Sequence, residues 1–135
     1  MAFRKAHRTN AKLRLAITGT AGSGKTYCSI LIAKGIGGNI ALIDTENGSG
    51  DMYSHLCDYD ICNLNAPFDP RKYIQAIHEA EHEGYNTVII DSLSHAWSGQ
   101  GGILDIQAKL AESRYRGNSY AAWKDVTPLQ NALVD

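Results

Sequence analysis

The stretch GTAGSGKT, residues 19 to 26, decides how the rest of the chain is interpreted. It matches GxxxxGK followed by Ser or Thr, a pattern whose glycines let the backbone turn tightly so that several N–H groups converge. The preceding segment LRLAIT (13 to 18) is rich in strand formers, and the following YCSILIAK (27 to 34) has apolar residues at helical spacing. A strand, this loop and a helix in that order disfavour a plain glycine turn.

This loop predicts binding of a nucleoside triphosphate, with ATP or ADP as the ligand and Mg²⁺ as the metal. Loop N–H groups and the amino end of the next helix supply partial positive charge to phosphate. Lys25 is predicted to act on the β- and γ-phosphates as a catalytic residue, and Thr26 to ligate Mg²⁺. The predicted phosphate-binding residues are Gly19, Thr20, Ala21, Gly22, Ser23, Gly24, Lys25 and Thr26.

Strand and helix patterns alternate after the loop. The apolar run at 40 to 43 and the segment TVIIDS at 87 to 92, in which an apolar run precedes an aspartate, predict buried parallel strands, and residues 59 to 65 form a weaker strand pattern. Helices are predicted near residues 52 to 56, from Pro70 onward with Asp69 as the cap, and over residues 103 to 111. A last helix is predicted after a cap at Ser119, with Thr127 and Pro128 either kinking or restarting it. The alternation predicts an α/β fold with a doubly wound, mainly parallel sheet.

Two carboxylates follow the predicted strands. Asp91 comes directly after an apolar run, as a Walker B aspartate does, and is predicted to ligate Mg²⁺ together with Thr26; the alternative is a capping role. Many P-loop ATPases place the catalytic glutamate immediately after that aspartate, but here the residue is Ser92. Glu46, at the end of the neighbouring strand, is therefore predicted to be the catalytic base, the alternative being an exposed loop acid.

The runs ALIDTE (41 to 46) and VIIDS (88 to 92) resemble two motifs of RecA recombinases. In that family the glutamate at the end of the second strand is the catalytic carboxylate, so the resemblance implies this role for Glu46. A closer likeness is to phage and prophage RecA-like ATP-binding proteins of the single-strand annealing and recombination group. It is carried by LIDTENGSGDMYS (42 to 54), PFDP (67 to 70), IIDSLSHAWSGQGGILD (89 to 105) and GNSYAAWKDVTPLQNALVD (117 to 135).

This resemblance implies a RecA-like P-loop NTPase that couples ATP hydrolysis to single-stranded DNA and acts as a homo-oligomer. RecA-like cores contain a further strand after the helix that follows Walker B, and the chain reaches Asp135 before one. The expectation is a truncated domain over residues 13 to 135, lacking its C-terminal strands, that binds ATP but hydrolyses it poorly.

Charge and composition bear on partners and location. The net charge is −1, yet basic residues crowd the first fourteen positions, which predicts a basic arm over residues 1 to 12 that contacts nucleic acid or is simply a solvated terminus. Three cysteines without CxxC spacing favour a reducing compartment, and no apolar run approaches the roughly 18 residues of a membrane helix. The expected location is the cytoplasm of a bacterium or a phage-infected host cell.

The sequence leaves other functions of a P-loop open. A nucleotide-gated assembly module would use the same loop with little turnover. A nucleotide or small-molecule kinase would also need a substrate lid, and residues 99 to 117 contain too few arginines to indicate one. A GTPase is disfavoured because no NKxD motif occurs. The sequence leaves the roles of His95, Arg114 and Arg116 undecided.

Overall fold

The protein was analysed as a computed structural model that describes residues 2–8 and 11–135. Its strands are β1 (Ile40–Asp44), β2 (Asp60–Asn63) and β3 (Thr87–Asp91). Its helices are α1 (Lys25–Ile36), α2 (Pro70–His82), α3 (Ser94–Ser98), α4 (Ile103–Ser113) and α5 (Ser119–Val134), with a 3-10 helix at Ser49–Tyr53. No helix in the described ranges has the length and apolar character needed to cross a membrane.

The three strands form one parallel sheet in the order β2-β1-β3. Asp44, the last residue of β1, pairs with Asn63 on one side and with Asp91 on the other. The carboxyl ends of all three strands therefore lie at one edge of the sheet, where ligands of open α/β sheets bind.

Helices cover both faces of the sheet, as the doubly wound prediction requires. Adjacent residues of β1 belong to different clusters, Leu42 to one and Ile43 to the other, because successive strand side chains point to opposite faces. The first cluster packs α1 on the sheet and contains Ile30, Ala33, Ile40, Leu42 and Ile89. The second packs α2 and α3 on the opposite face and contains Ile43, Leu64, Tyr73 and Ala96. This small α/β fold is compatible with the P-loop NTPase class.

The strand predicted over residues 13 to 18 is wrong. The segment forms no strand, and the side chains of Leu13 and Leu15 are 66% and 56% exposed. β3 is an edge strand, and no described residue pairs with its outer side. A strand needs a partner for its N–H and C=O groups, and an apolar, β-prone segment cannot supply one by itself.

The predicted helices are largely confirmed. α2 begins at Pro70, and the Asp69 carboxylate accepts the backbone N–H of Arg71 as its cap. The helix predicted near 52 to 56 is instead a 3-10 helix that begins at Ser49, after Gly48 in a left-handed conformation. The short α3 was not predicted, since five residues carry too little periodicity to detect.

α5 differs from the prediction in two details. Its cap is Asn118 rather than Ser119, because the Asn118 side chain accepts the N–H of Ala121. The helix also continues through Pro128 to Val134 without a restart. One proline removes only one helical hydrogen bond, and packing of the residues on either side can hold the helix together.

In the predicted basic arm, Met1, Thr9 and Asn10 lie outside the described residues. The arm residues that the structure describes adopt no helix or strand and are exposed.

Candidate nucleotide-binding site

The glycine loop joins the exposed segment before it to the first turn of α1. Gly22 (φ 75°) and Gly24 (φ 90°) have left-handed backbone conformations, which disfavour a side chain at either position. Gly24 is the N-cap of α1, and it offers no side chain to the free N–H groups of the first turn. Those N–H groups remain available to an anion.

Lys25 folds back over its own loop. Its Nζ donates to the carbonyl oxygens of Gly19, at 2.8 Å, and Thr20, at 2.9 Å. The ammonium group is thereby held at the mouth of the loop. To reach a bound phosphate it must exchange these two carbonyls for phosphate oxygens.

Thr26 connects the loop to the sheet. Its hydroxyl donates to Oδ2 of Asp91, at 2.5 Å, so the first turn of α1 meets the end of β3. Both side chains are partly buried. A hydroxyl beside a carboxylate supplies two hard oxygen donors, which fits Mg²⁺, an ion that also keeps waters and phosphate oxygens.

Asp44 was not predicted to have a role, yet it shapes the loop that carries Glu46. It is 2% exposed, and its carboxylate accepts the N–H of Glu46, at 2.8 Å, and of Gly50, at 3.1 Å. A side chain at residue 50 would crowd Leu42 and this carboxylate. The buried charge is thus compensated by backbone donors, and the turn after β1 is fixed.

Glu46 and Asp91 come together through Ser92. The Ser92 hydroxyl donates to Oε1 of Glu46, at 3.0 Å. The N–H of Thr45 donates to the carbonyl of Asp91, at 2.7 Å, which extends the pairing of β1 and β3 past the strand ends. The peptide bond between Asp91 and Ser92 is cis. Glu46 and Asp91, the two carboxylates predicted from the sequence, therefore lie at adjacent strand ends.

Thr45, Glu46, Tyr73, Ser92 and His95 form a hydrogen-bonded group that we call the strand-end cluster. The hydroxyl of Tyr73 donates to the carbonyl of Ser92, at 3.2 Å, and burial raises the pKa of Tyr73, which keeps it a donor. Tyr73 was not predicted to have a role, because the helical period of α2 predicts that a tyrosine is buried but not which group its hydroxyl meets.

His95 enters the strand-end cluster from α3. Its Nδ1 lies 2.8 Å from the Thr45 hydroxyl and 3.7 Å from Oε1 of Glu46. The ring stacks on Phe68 with centroids 4.6 Å apart, and the N–H of Phe68 donates to the carbonyl of Gln100. His95, left undecided by the sequence, is thus brought to the predicted base.

The two arginines left undecided have different surroundings. Arg114 donates to the Asp125 carboxylate of α5, at 2.9 Å, and lies over the ring of Tyr115. Arg116 is exposed in the turn between α4 and α5, with φ of 50°. The described contacts of Arg114 join α4 to α5 rather than to the strand ends.

In the part of the chain that the structure describes, no three His, Cys, Asp or Glu side chains converge in a way that could hold a metal ion. A site built from Thr26 and Asp91 would contain one carboxylate, and therefore depends on phosphate and water for its remaining ligands.

A phosphate-type loop opening a helix, beside carboxylates at the ends of parallel strands, defines the class of nucleotide-binding P-loop proteins. A family described as an AAA domain matches residues 11–135, and the chain belongs to that family. Membership indicates an AAA-type P-loop ATPase family, whose domains bind nucleotides. No curated protein matched the chain, and neither did any solved structure.

Proposed function

We propose that this protein is a RecA-like, Mg²⁺-dependent ATPase that works as a homo-oligomer and couples ATP hydrolysis to the binding of single-stranded DNA in recombination. The observation that carries the ATPase part is the contact of Thr26 with Asp91, beside a glutamate fixed on the neighbouring strand end. Phosphate loop, metal-binding oxygens and base then meet at one edge of the sheet.

Each predicted residue has a defined task in this proposal. The N–H groups of the loop and of the first turn of α1 hold the phosphates, and Lys25 neutralises their charge after leaving the carbonyls of Gly19 and Thr20. Mg²⁺, held by Thr26 and Asp91, supplies charge neutralisation when bound. Glu46 accepts a hydrogen bond from the attacking water and orients it toward the γ-phosphate.

The DNA part rests on the resemblance and on surface chemistry. The arm and the segment after it carry exposed cations, namely Arg4, Lys5, Arg8, Lys12 and Arg14. Trp97 is 42% exposed and stacks on Trp123 with centroids 5.8 Å apart. Cations that follow a backbone and aromatic rings that stack on bases are the two elements of single-strand binding.

The test measures ATP hydrolysis with and without single-stranded DNA. Lys25→Ala should abolish hydrolysis, whereas Lys34→Ala, which removes an exposed lysine from the last turn of the same helix, should leave it unchanged. DNA should stimulate the wild type. Hydrolysis that persists in Lys25→Ala would exclude the ATPase proposal, and absence of both DNA binding and stimulation would exclude the recombination proposal.

A variant of the arm tests the DNA contact separately. Replacing Arg4, Lys5 and Arg8 with serine should weaken DNA binding and flatten its salt dependence, since roughly 0.7 counterions are released for each single-strand phosphate neutralised. The control replaces exposed Lys34, Lys72 and Lys109 with serine, which changes the net charge equally. Equal losses in the two variants would mean that net charge, not the arm, determines the affinity.

A second candidate is a nucleotide-gated assembly module with little turnover. It is favoured by the position of residues 13 to 18, which lead into the phosphate loop without pairing to the sheet. Catalysis depends more on a preorganised loop than binding does. Glu46→Gln separates the two candidates, because it should abolish hydrolysis in an ATPase and change little in a binding module.

A further inference from the structure

The hydroxyl of Thr45 has three partners within hydrogen-bonding distance. It lies 2.8 Å from the backbone N–H of Ser92, 3.2 Å from the Ser92 carbonyl and 2.8 Å from Nδ1 of His95. Thr45 itself is 3% exposed, so water has little access to replace any of them. One hydroxyl group therefore faces all three partners.

A hydroxyl donates one hydrogen bond and accepts two. The Ser92 N–H can only donate, so Thr45 accepts from it, and the Ser92 carbonyl, which also accepts the hydroxyl of Tyr73, can only accept. With the Thr45 hydroxyl donated to that carbonyl, its remaining lone pair faces Nδ1 of His95. Only a proton on Nδ1 lets all three contacts form at once.

Ser92, which Thr45 holds, in turn holds the predicted base. The Ser92 hydroxyl donates to Oε1 of Glu46, at 3.0 Å, whereas Nδ1 of His95 lies 3.7 Å from the same oxygen, beyond hydrogen-bonding distance. Among the described residues no hydrogen bond reaches Oε2. One oxygen is thereby held while the other can meet a water molecule.

The imidazole is fixed from the other side as well. Phe68 stacks on the ring with an interplanar angle of 18°, and the next residue of α3, Ala96, is 2% exposed in the core. A ring held by stacking and by a buried helix cannot rotate freely. Its Nδ1–H therefore keeps a constant direction.

From this geometry we propose that His95 is a positioning residue for Glu46. Held by Phe68, its Nδ1–H donates to Thr45, Thr45 accepts the N–H of Ser92, and the Ser92 hydroxyl fixes Oε1 of Glu46 so that Oε2 faces the attacking water. The proposal rests on the ATPase function proposed above, because the readout of positioning is the rate of hydrolysis. The tautomer of His95, by contrast, can be measured whether or not ATP is turned over.

Three substitutions test the role of Nδ1. His95→Asn keeps an N–H donor at the position of Nδ1, His95→Gln moves the donor to the position of Nε2, and His95→Ala removes it. We expect the Gln and Ala variants to lose about tenfold or more in kcat with little change in KM for ATP, and His95→Asn to retain most of it. His82→Asn, at an exposed position on α2, is the matched control.

Equal kcat values for the Asn and Gln variants would overturn the proposal, because a residue that only fills space would not require its N–H donor at the position of Nδ1. A parallel fall of kcat and of the free energy of unfolding in all three variants would also overturn it. Such a result would show a packing role only.

Nitrogen-15 NMR of the imidazole provides the second measurement. The His95 signals, identified by their loss in His95→Asn, should show the proton on Nδ1 in the wild type and a shift toward Nε2 in Thr45→Val. A wild-type proton on Nε2 would refute the inferred tautomer and with it the positioning role. If the tautomer is correct but the wild type shows no hydrolysis, the proposed ATPase function fails, and His95 has no reaction in which to position Glu46.

Discussion

The hydroxyl of Thr26 and the carboxylate of Asp91 are 2.5 Å apart, although the two residues are separated by 65 positions in the chain. The contact joins the first turn of α1 to the last residue of β3. Because the segment before the loop is not part of the sheet, this contact and the buried residues of α1 hold the phosphate loop at the strand ends.

Thr26→Ala should remove the dependence of ATP binding on Mg²⁺. Loss of the hydroxyl proposed to bind Mg²⁺ should lower the affinity for ATP in the presence of Mg²⁺ about tenfold, which corresponds to about 1.4 kcal/mol. Thr26→Ser, which retains the hydroxyl, is the control. Calorimetric titration with and without Mg²⁺ measures both variants, and an unchanged Mg²⁺ effect in Thr26→Ala would argue against this metal site.

Glu46→Gln should separate binding from hydrolysis. A glutamine can still accept the hydrogen bond from Ser92 but cannot act as a base, so kcat should fall by about 100-fold or more while ATP affinity stays close to the wild type. Glu112→Gln, at an exposed position on α4, makes the same chemical change elsewhere. Steady-state kinetics of both variants give the comparison, and an active Glu46→Gln would assign the base to another residue.

Asp69 should stabilise the protein in a way that depends on pH. Its carboxylate caps α2 and also accepts hydrogen bonds from the Arg71 guanidinium, which hold the pKa of Asp69 below its usual range. The stabilisation is complete above the unfolded-state pKa of about 3.9 and is lost as the pH falls through the lower folded-state value. Asp69→Ala should lower the free energy of unfolding by about 1 kcal/mol at neutral pH.

Asp69→Asn is the control for that experiment, because asparagine caps helices well but does not titrate. Denaturant unfolding at several pH values should show the wild type and the Asn variant converging below about pH 4. A difference between them that stays constant with pH would mean that the Arg71 contact does not affect stability.

Tyr85 should lose its proton at a higher pH than a free tyrosine. Its hydroxyl donates to the Asp60 carboxylate, at 2.6 Å, and this hydrogen bond raises the pKa of Tyr85 to about 12. The stabilisation from this contact is complete below the unfolded-state pKa of about 10 and is lost as the pH rises to the folded-state value. A titration of phenolate absorbance should lose one high-pH group in Tyr85→Phe, while other tyrosines with raised pKa values, such as Tyr73, keep theirs.

Asp60→Asn is the matched test of the cause. Without the carboxylate, the pKa of Tyr85 should move back toward that of a free tyrosine. If the group that is lost in Tyr85→Phe still titrates at high pH in Asp60→Asn, something other than this carboxylate raises the pKa of Tyr85.

Several parts of the fold could be predicted because their signals are local. The cap at Asp69 with Pro70 after it marks the start of α2, and short apolar runs ending in aspartate mark β1 and β3. The predictions that failed depended on distant partners. Residues 13 to 18 have the composition of a strand, but composition does not determine whether a segment pairs with a neighbouring strand.

The sequence by itself determined the phosphate-type loop, the helix behind it and the two carboxylates at neighbouring strand ends, because these follow from glycine spacing and from the periods of strands and helices. Only the tertiary structure decided that Thr26 meets Asp91 and that Ser92 joins Glu46 to β3. It also brought His95 and Tyr73 to the same edge. Such contacts depend on sheet register and helix packing, which bring together side chains that are far apart in the chain.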